Sequence, residues 1–171
     1  VIKENFHKDI VVISTGGTFN KIYDPIKGDL FVDQNSTSLK KIFKKWKCNF
    51  KVINIIGKDS LNMNDFDRDF LCKTIKNLKE EKIIIIHGTD TVDKSAKEVA
   101  SKIKNKKIVF VGAMVPFFVD ETEASANFAL SVGFLEANPK NGIYIAMHSI
   151  VREFDQIYKD KKLGVFLPKI S

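Results

Sequence analysis

Apolar positions gather in five short runs, at 10–14, 50–56, 82–86, 107–112 and 142–147, most of them rich in isoleucine and valine. All five read as strands, and those at 10–14 and 83–86 as strands buried on both faces, as in a parallel sheet lying under helices. Between them, apolar residues return at helical spacing. Leu39, Ile42, Phe43 and Trp46 make one stripe, Phe66, Phe70, Leu71, Ile75 and Leu78 a second, and Val92, Ala96, Val99 and Ile103 a third. Such stripes mark helices that lay one face on a core. A fourth helix is predicted over 124–136, ending before Asn138-Pro139, since a residue ahead of proline disfavours helical backbone. Asn64 is suited to cap the second helix, with Asp65 and Asp67 near its positive end. Strand and helix alternate throughout, which predicts an α/β three-layer sandwich with a mostly parallel sheet, one domain over 1–171. The stretch 151–171 is polar and lysine-rich and is predicted to be irregular.

Two of the strand runs end in polar loops. Ile10-Val11-Val12-Ile13-Ser14 leads into Thr15-Gly16-Gly17-Thr18, and Ile83-Ile84-Ile85-Ile86 into His87-Gly88-Thr89-Asp90-Thr91. Open α/β sheets bind ligands outside the carboxyl ends of their strands. Glycine there allows sharp turns and close backbone approach, and threonine supplies hydroxyls. The pattern predicts one site built from two hydroxyl-bearing edges.

Composition narrows the chemistry. With 171 residues, 44% hydrophobic and 29% charged, the chain can bury a core and has an ordinary globular balance. Its net charge is +7, but the only arginines are Arg68 and Arg152. Nucleic-acid readers favour arginine for bidentate contacts. The lysines also spread over helix faces, as at Lys40, Lys41, Lys44, Lys45 and Lys47, so a solvated surface is expected and no nucleic-acid partner. Cys48 and Cys72 form no C-x-x-C or metal-finger spacing, and His7, His87 and His148 do not lie at metal-ligand spacing. No P-loop, dinucleotide fingerprint or G-x-S-x-G elbow occurs. No metal or cofactor is expected. The segment Val1 to His7 has no apolar signal core and no run approaches a membrane span, which points to a cytoplasmic protein with free cysteines. The Asn35-Ser36-Thr37 sequon is therefore given no weight. A first residue other than methionine and an abrupt lysine-rich end fit a piece of a longer chain. His87 leaves a buried strand and is expected to be structural, so a threonine nucleophile would look to lysine or tyrosine for a base.

Taken together, these segments resemble the bacterial-type L-asparaginase/glutaminase family. Thr15-Gly16-Gly17-Thr18, with Tyr23 beyond it, is similar to the family's T-G-G-T motif and its tyrosine-bearing loop. His87 to Thr91 matches H-G-T-D-T, Asp59-Ser60-Leu61-Asn62-Met63 its serine loop, and Gly112-Ala113-Met114-Val115-Pro116 its G-A-M-x-P segment. Asn127 fits a helix asparagine and Lys159 the family lysine, so the resemblance runs from Ile10 to Lys159. It implies the fold of the family's larger, N-terminal domain and hydrolysis of a side-chain amide through a threonine acyl-enzyme. Thr18 would be the nucleophile and Tyr23 its partner. Thr89 and Lys159 would form a second arm, with Asp90 on the substrate's amino group. Ser60 would hold the substrate α-carboxylate, the Ala113 carbonyl would face the leaving nitrogen, and Gly17 and Gly88 would line the substrate and offer backbone N–H groups to an oxyanion. Lysine acts as a base when burial or a neighbouring positive group favours its neutral form. The implied partners are a small amino-acid amide and further copies of the chain.

Two departures are visible. The family chain continues into a second, smaller domain whose acidic residue, from a neighbouring subunit, completes the first arm; no such segment lies in these 171 residues. Leu61 stands where many members carry a polar residue, and leucine accepts no hydrogen bond from an ammonium. Three readings follow: an amidohydrolase acting on L-asparagine and L-glutamine, a non-catalytic aspartate/asparagine-binding or dimerisation module, and a tRNA-dependent amidotransferase subunit. Thr18, Thr89, Asp90 and Lys159 together favour the first, because a binding module needs neither both hydroxyls nor the lysine. The missing second domain favours the second.

Overall fold

The computed structural model describes residues 7–170; Val1–Phe6, most of the segment searched for a signal core, and Ser171 lie outside the described residues. The five apolar runs become strands β1 (Ile10–Gly16), β4 (Lys51–Lys58), β5 (Lys82–Ile86), β6 (Lys107–Val111) and β7 (Gly142–Met147). They form one sheet with β8 (Ile150–Glu153), in the order β4-β1-β5-β6-β7-β8. The first five are parallel, and only β8 pairs antiparallel, across Met147↔Ile150.

Alternation of side chains along each strand sends the two sets of isoleucines and valines to opposite faces. Ile10, Val12, Ile84, Ile86, Val109 and Val111 pack under α1 (Thr37–Trp46) and α4 (Glu121–Ala137). Val11, Ile13, Ile83, Ile85, Ile108 and Phe110 pack under α2 (Asp65–Lys76) and α3 (Val92–Lys102). The three-layer α/β sandwich with a mostly parallel sheet is therefore the architecture of the described residues. Asn64 caps α2 in a capping box: its side chain accepts from Asp67 N, and Asp67 accepts from Asn64 N.

The run at 50–56 is a strand at the sheet edge, only partly covered, with β1 as its neighbour. Two expectations need correcting. On α2, Phe66 and Phe70 are 87% and 52% exposed, and the buried face is Arg68, Leu71, Cys72 and Ile75. The stretch after 151 is not irregular. It completes β8 and then folds into the hairpin β9 (Ile157–Asp160) and β10 (Val165–Pro168). A second small hairpin, β2 (Lys21–Asp24) with β3 (Asp29–Val32), follows the first polar loop. Of the two free cysteines, Cys72 is buried and Cys48 partly so.

Candidate active site

From β1 the chain runs to β4 on one side of it and then returns to β5 on the other. The connections thus diverge at the β1–β5 pair, which makes the carboxyl ends of these two strands the crevice where such sheets take ligands. Both polar loops open there, in register through Ser14↔Ile86. They touch backbone to backbone: a Cβ on Gly17 would fall 2.5 Å from Gly88 Cα, and one on Gly88 2.6 Å from Ser60 Oγ. Gly17 also has φ +81°, a region that side chains disfavour. Thr15 Oγ1 donates to Ile86 O at 2.8 Å and pins the first loop to β5. The Thr18, Ser60 and Thr89 segments are thereby brought to one place.

The residues expected to form the second arm are hydrogen-bonded together. Lys159 Nζ donates to Thr89 Oγ1 at 2.9 Å and to Asp90 Oδ1 at 2.7 Å. Thr89 is buried and the Lys159 side chain is 13% exposed. Thr89 Oγ1 in turn donates to Met114 Sδ at 3.4 Å. Ala113 is buried between Gly112, whose carbonyl accepts from Asn127 Nδ2 at 3.0 Å, and Met114, whose N–H reaches Glu123.

The first arm is anchored but open. Thr18 begins a single 3-10 turn, held by Asn20, which donates to Ser14 Oγ at 2.8 Å and accepts from Ser38 Oγ at 2.6 Å. The Thr18 hydroxyl itself has no hydrogen bond among the described residues, and none joins it to Tyr23, which is 57% exposed on β2. Lys21 Nζ meets Asp59 Oδ2 at 2.7 Å and ties that hairpin to the Ser60 loop. Burial works to raise the Asp59 carboxyl, but Lys21, the Leu61 N–H and Lys159 outweigh it and hold it below the usual range. The Gly17 amide donates to Lys58 O at 2.9 Å. Ser60 Oγ is buried without a partner among the described residues. In this rotamer it is covered, and turning toward the crevice breaks no hydrogen bond.

A family profile described as "Asparaginase, N-terminal" matches residues 9–161. The chain belongs to the asparaginase family. Its fold is similar to that of the thermostable L-asparaginase from Thermococcus kodakarensis, with a TM-score of 0.81 at 20% identity over 93% of this chain and 50% of that one. It is similar also to a probable cytoplasmic L-asparaginase from Campylobacter jejuni, with a TM-score of 0.76 at 23% identity over 93% of this chain and 52% of that one. The chain thus spans about half the length of these asparaginases. No curated protein matches the sequence. Among the described residues, no group of three or more His, Cys, Asp or Glu could hold a metal, and no helix is long and apolar enough to cross a membrane.

In this asparaginase-family chain, the residues missed from sequence lie behind the loops. His87 Nδ1 is 2.7 Å from the Gly88 carbonyl. A carbonyl only accepts, so Nδ1 carries the proton and Nε2 accepts from Ser95 Oγ at 2.8 Å. Burial pushes the His87 pKa down to about 4, which keeps this neutral tautomer. Arg68 Nε donates to Ser95 Oγ at 3.2 Å, its Nη2 to Thr91 Oγ1 at 3.3 Å, and its Nη1 to Met63 O at 3.3 Å. Thr91 Oγ1 then donates to Ser60 O at 2.9 Å. One buried guanidinium therefore supports both the His87–Gly88 turn and the Ser60 loop. The signal was present, because 68, 71, 72 and 75 are a cleaner helical stripe than the one containing Phe66 and Phe70.

Proposed function

We propose that this chain is an amidohydrolase that releases ammonia from L-asparagine, and from L-glutamine as a substrate of the same class. The observation that carries the reading is the Thr89–Asp90–Lys159 unit standing against the Gly17–Thr18 loop at the sheet's switch point. Thr18 Oγ attacks the side-chain amide carbon, and once the β2–β3 hairpin carries Tyr23 inward its phenol takes that proton while passing its own on toward the amide nitrogen. The tetrahedral intermediate collapses by breaking the C–N bond, with the Ala113 carbonyl facing the nitrogen, which takes a proton and leaves as ammonia. The remaining ester on Thr18 is attacked by water that Thr89 and Lys159 orient, giving aspartate and free threonine. Asp90 holds the substrate ammonium by its second carboxylate oxygen, and Ser60 the α-carboxylate. The same reading has the chain act in the cytoplasm as a homo-oligomer, which sedimentation checks.

Ammonia release from millimolar L-asparagine is the test, with Thr18→Ala and Thr89→Val each abolishing it. Thr18→Ala removes the nucleophile itself, and a group placed for acid–base work, as Thr89 with Lys159, is typically worth about 10²–10⁴-fold, so either variant is expected to fall to background. No turnover by folded wild-type chain sinks the catalytic reading. A second reading, a binding module for aspartate-like ligands, is favoured by the exposure of Tyr23 and the unpaired Thr18 hydroxyl. Titration with L-aspartate separates the two, since binding without turnover selects the module.

A further inference from the structure

Strands β7 and β8 are joined by His148 and Ser149 alone, with φ of +51° and +66°. A two-residue hairpin turn with both residues left-handed normally takes asparagine, aspartate or glycine. Residues other than glycine are uncommon there, and such a backbone persists where surrounding bonds hold it.

The bonds around His148 are unusual in number. Its backbone N–H donates to Asn127 Oδ1 at 3.0 Å. Its Nδ1 lies 3.1 Å from the Phe166 N–H, which can only donate, so Nδ1 is the acceptor and the ring proton sits on Nε2. That proton points to Glu123 Oε1 at 3.0 Å. Glu123 also receives Met114 N at 2.9 Å and Val115 N at 3.0 Å. Each end of this cluster leads to the second arm. Phe166 on β10 stands directly opposite Lys159 on β9, and Met114 accepts from Thr89.

We propose that His148 is a positioning residue that clamps the β9–β10 hairpin to the Gly112–Pro116 loop and so holds Lys159 against Thr89 and Asp90. It touches no reacting atom and acts through Phe166 and Glu123. Its kinetic consequence rests on the amidohydrolase reading; the clamp itself does not.

Two substitutions cut the clamp at different ends. In His148→Asn the amide oxygen takes the place of Nδ1 and still accepts from Phe166, and asparagine suits the left-handed turn; the tie to Glu123 is lost. His148→Gln reaches to the place of Nε2 and keeps a donor for Glu123, but frees Phe166. Limited acetylation with acetic anhydride, read by peptide mass spectrometry, reports the reactivity of Lys159 relative to the exposed Lys44. Local opening exposes a tied group in proportion to its open population, so His148→Gln and His148→Asn, each of which cuts one end of the clamp, are both expected to raise Lys159 labelling about fivefold. Glu123→Gln, which replaces a carboxylate oxygen by a donor, is expected to raise it as well and serves should His148→Gln fail to fold. Where the wild type turns over, His148→Gln is expected to lower kcat about tenfold and to raise KM less, because Ser60 and Thr18 lie outside the clamp while Asp90 meets Lys159 within it. Lys159 labelling unchanged in every folded variant overturns the proposal, as does a loss of thermal stability without that labelling change. These outcomes are read whether or not the wild type hydrolyses asparagine.

Discussion

Ser60→Ala has effects of opposite sign on stability and on binding. The Ser60 hydroxyl is buried and unpaired among the described residues, and a buried polar group left without a partner costs about 1–3 kcal/mol. Alanine removes that cost. It also removes the contacts of one oxygen, each worth about 0.1–0.2 kcal/mol, which offsets a few tenths. The net expectation is a gain of about 1 kcal/mol in the ligand-free chain, which for a domain of this size raises Tm by roughly 2–4 °C. For binding the sign reverses. A hydroxyl donating to a carboxylate contributes about 1.5–3 kcal/mol, so L-aspartate should bind, and L-asparagine show KM, roughly ten- to hundredfold more weakly.

The assay is a thermal melt of both proteins with and without L-aspartate, followed by calorimetric titration. A Ser60→Ala chain that melts more than about 2 °C below wild type would show that the hydroxyl is paired in the folded protein, against the burial argument. A stabilised variant that binds L-aspartate as tightly as wild type would remove Ser60 from the carboxylate site. Only higher Tm together with weaker binding fits both halves of the reasoning.

Other consequences are as specific. His87 titrates near 4 when folded against 6.5 unfolded, so its stabilising contribution is complete above about pH 6.5 and is lost as pH falls toward 4, at about 1.4 kcal/mol per pH unit and about 3 kcal/mol in all; urea unfolding at pH 7 and pH 5 should show a smaller loss in His87→Gln, and equal losses would refute the buried neutral ring. Lys107 is buried and caps the end of α4 by donating to the carbonyls of Leu135 and Asn138, so Lys107→Met is expected to cost about 2 kcal/mol by urea unfolding. On α2, Arg68→Met is expected to cost about 2–3 kcal/mol while Phe66→Ser, at a position 87% exposed, stays within about 0.5 kcal/mol; the reverse order would invalidate the assigned face of that helix.

Legibility from sequence followed how completely each element is covered. The strands at 82–86 and 142–147 were readable to the residue, because a fully buried strand needs an unbroken apolar run between polar or glycine boundaries. The run at 50–56 was readable as a strand, but its place at the sheet edge was not, since an edge strand can be as apolar as a central one. The two small hairpins escaped because four residues per strand give too little alternation to recognise. Phe66 and Phe70 misled because bulk apolar residues were allowed to outweigh phase, and a buried arginine was not admitted to the stripe. Lys159 was found through its motif alone. Nothing in a lysine-rich tail separates the one that reaches Thr89 from its neighbours Lys161 and Lys162, which the hairpin turns toward solvent.

The two hydroxyl-bearing loops differ in what restrains them, and that difference bears on how the site would operate. Thr89 is held by Lys159, by Met114 and by the turn that His87 and Arg68 support from behind. Each of these partners is at least partly buried, so displacing the second arm breaks several bonds shielded from water, where they are strongest. Beyond Asn20 the first arm lacks such support. Its hairpin is two strands wide, Tyr23, Leu30 and Phe31 are exposed on it, and its one ion pair, Lys21–Asp59, leaves both side chains about a quarter accessible. An exposed pair of this kind contributes about 0–1 kcal/mol, and an isolated two-stranded hairpin is marginal. The hairpin beyond Asn20 can therefore move at little energetic cost while the Thr89–Lys159 side stays fixed, so on the proposed reading a closing step falls to the Tyr23 hairpin and the Thr89–Lys159 side serves as the rigid reference.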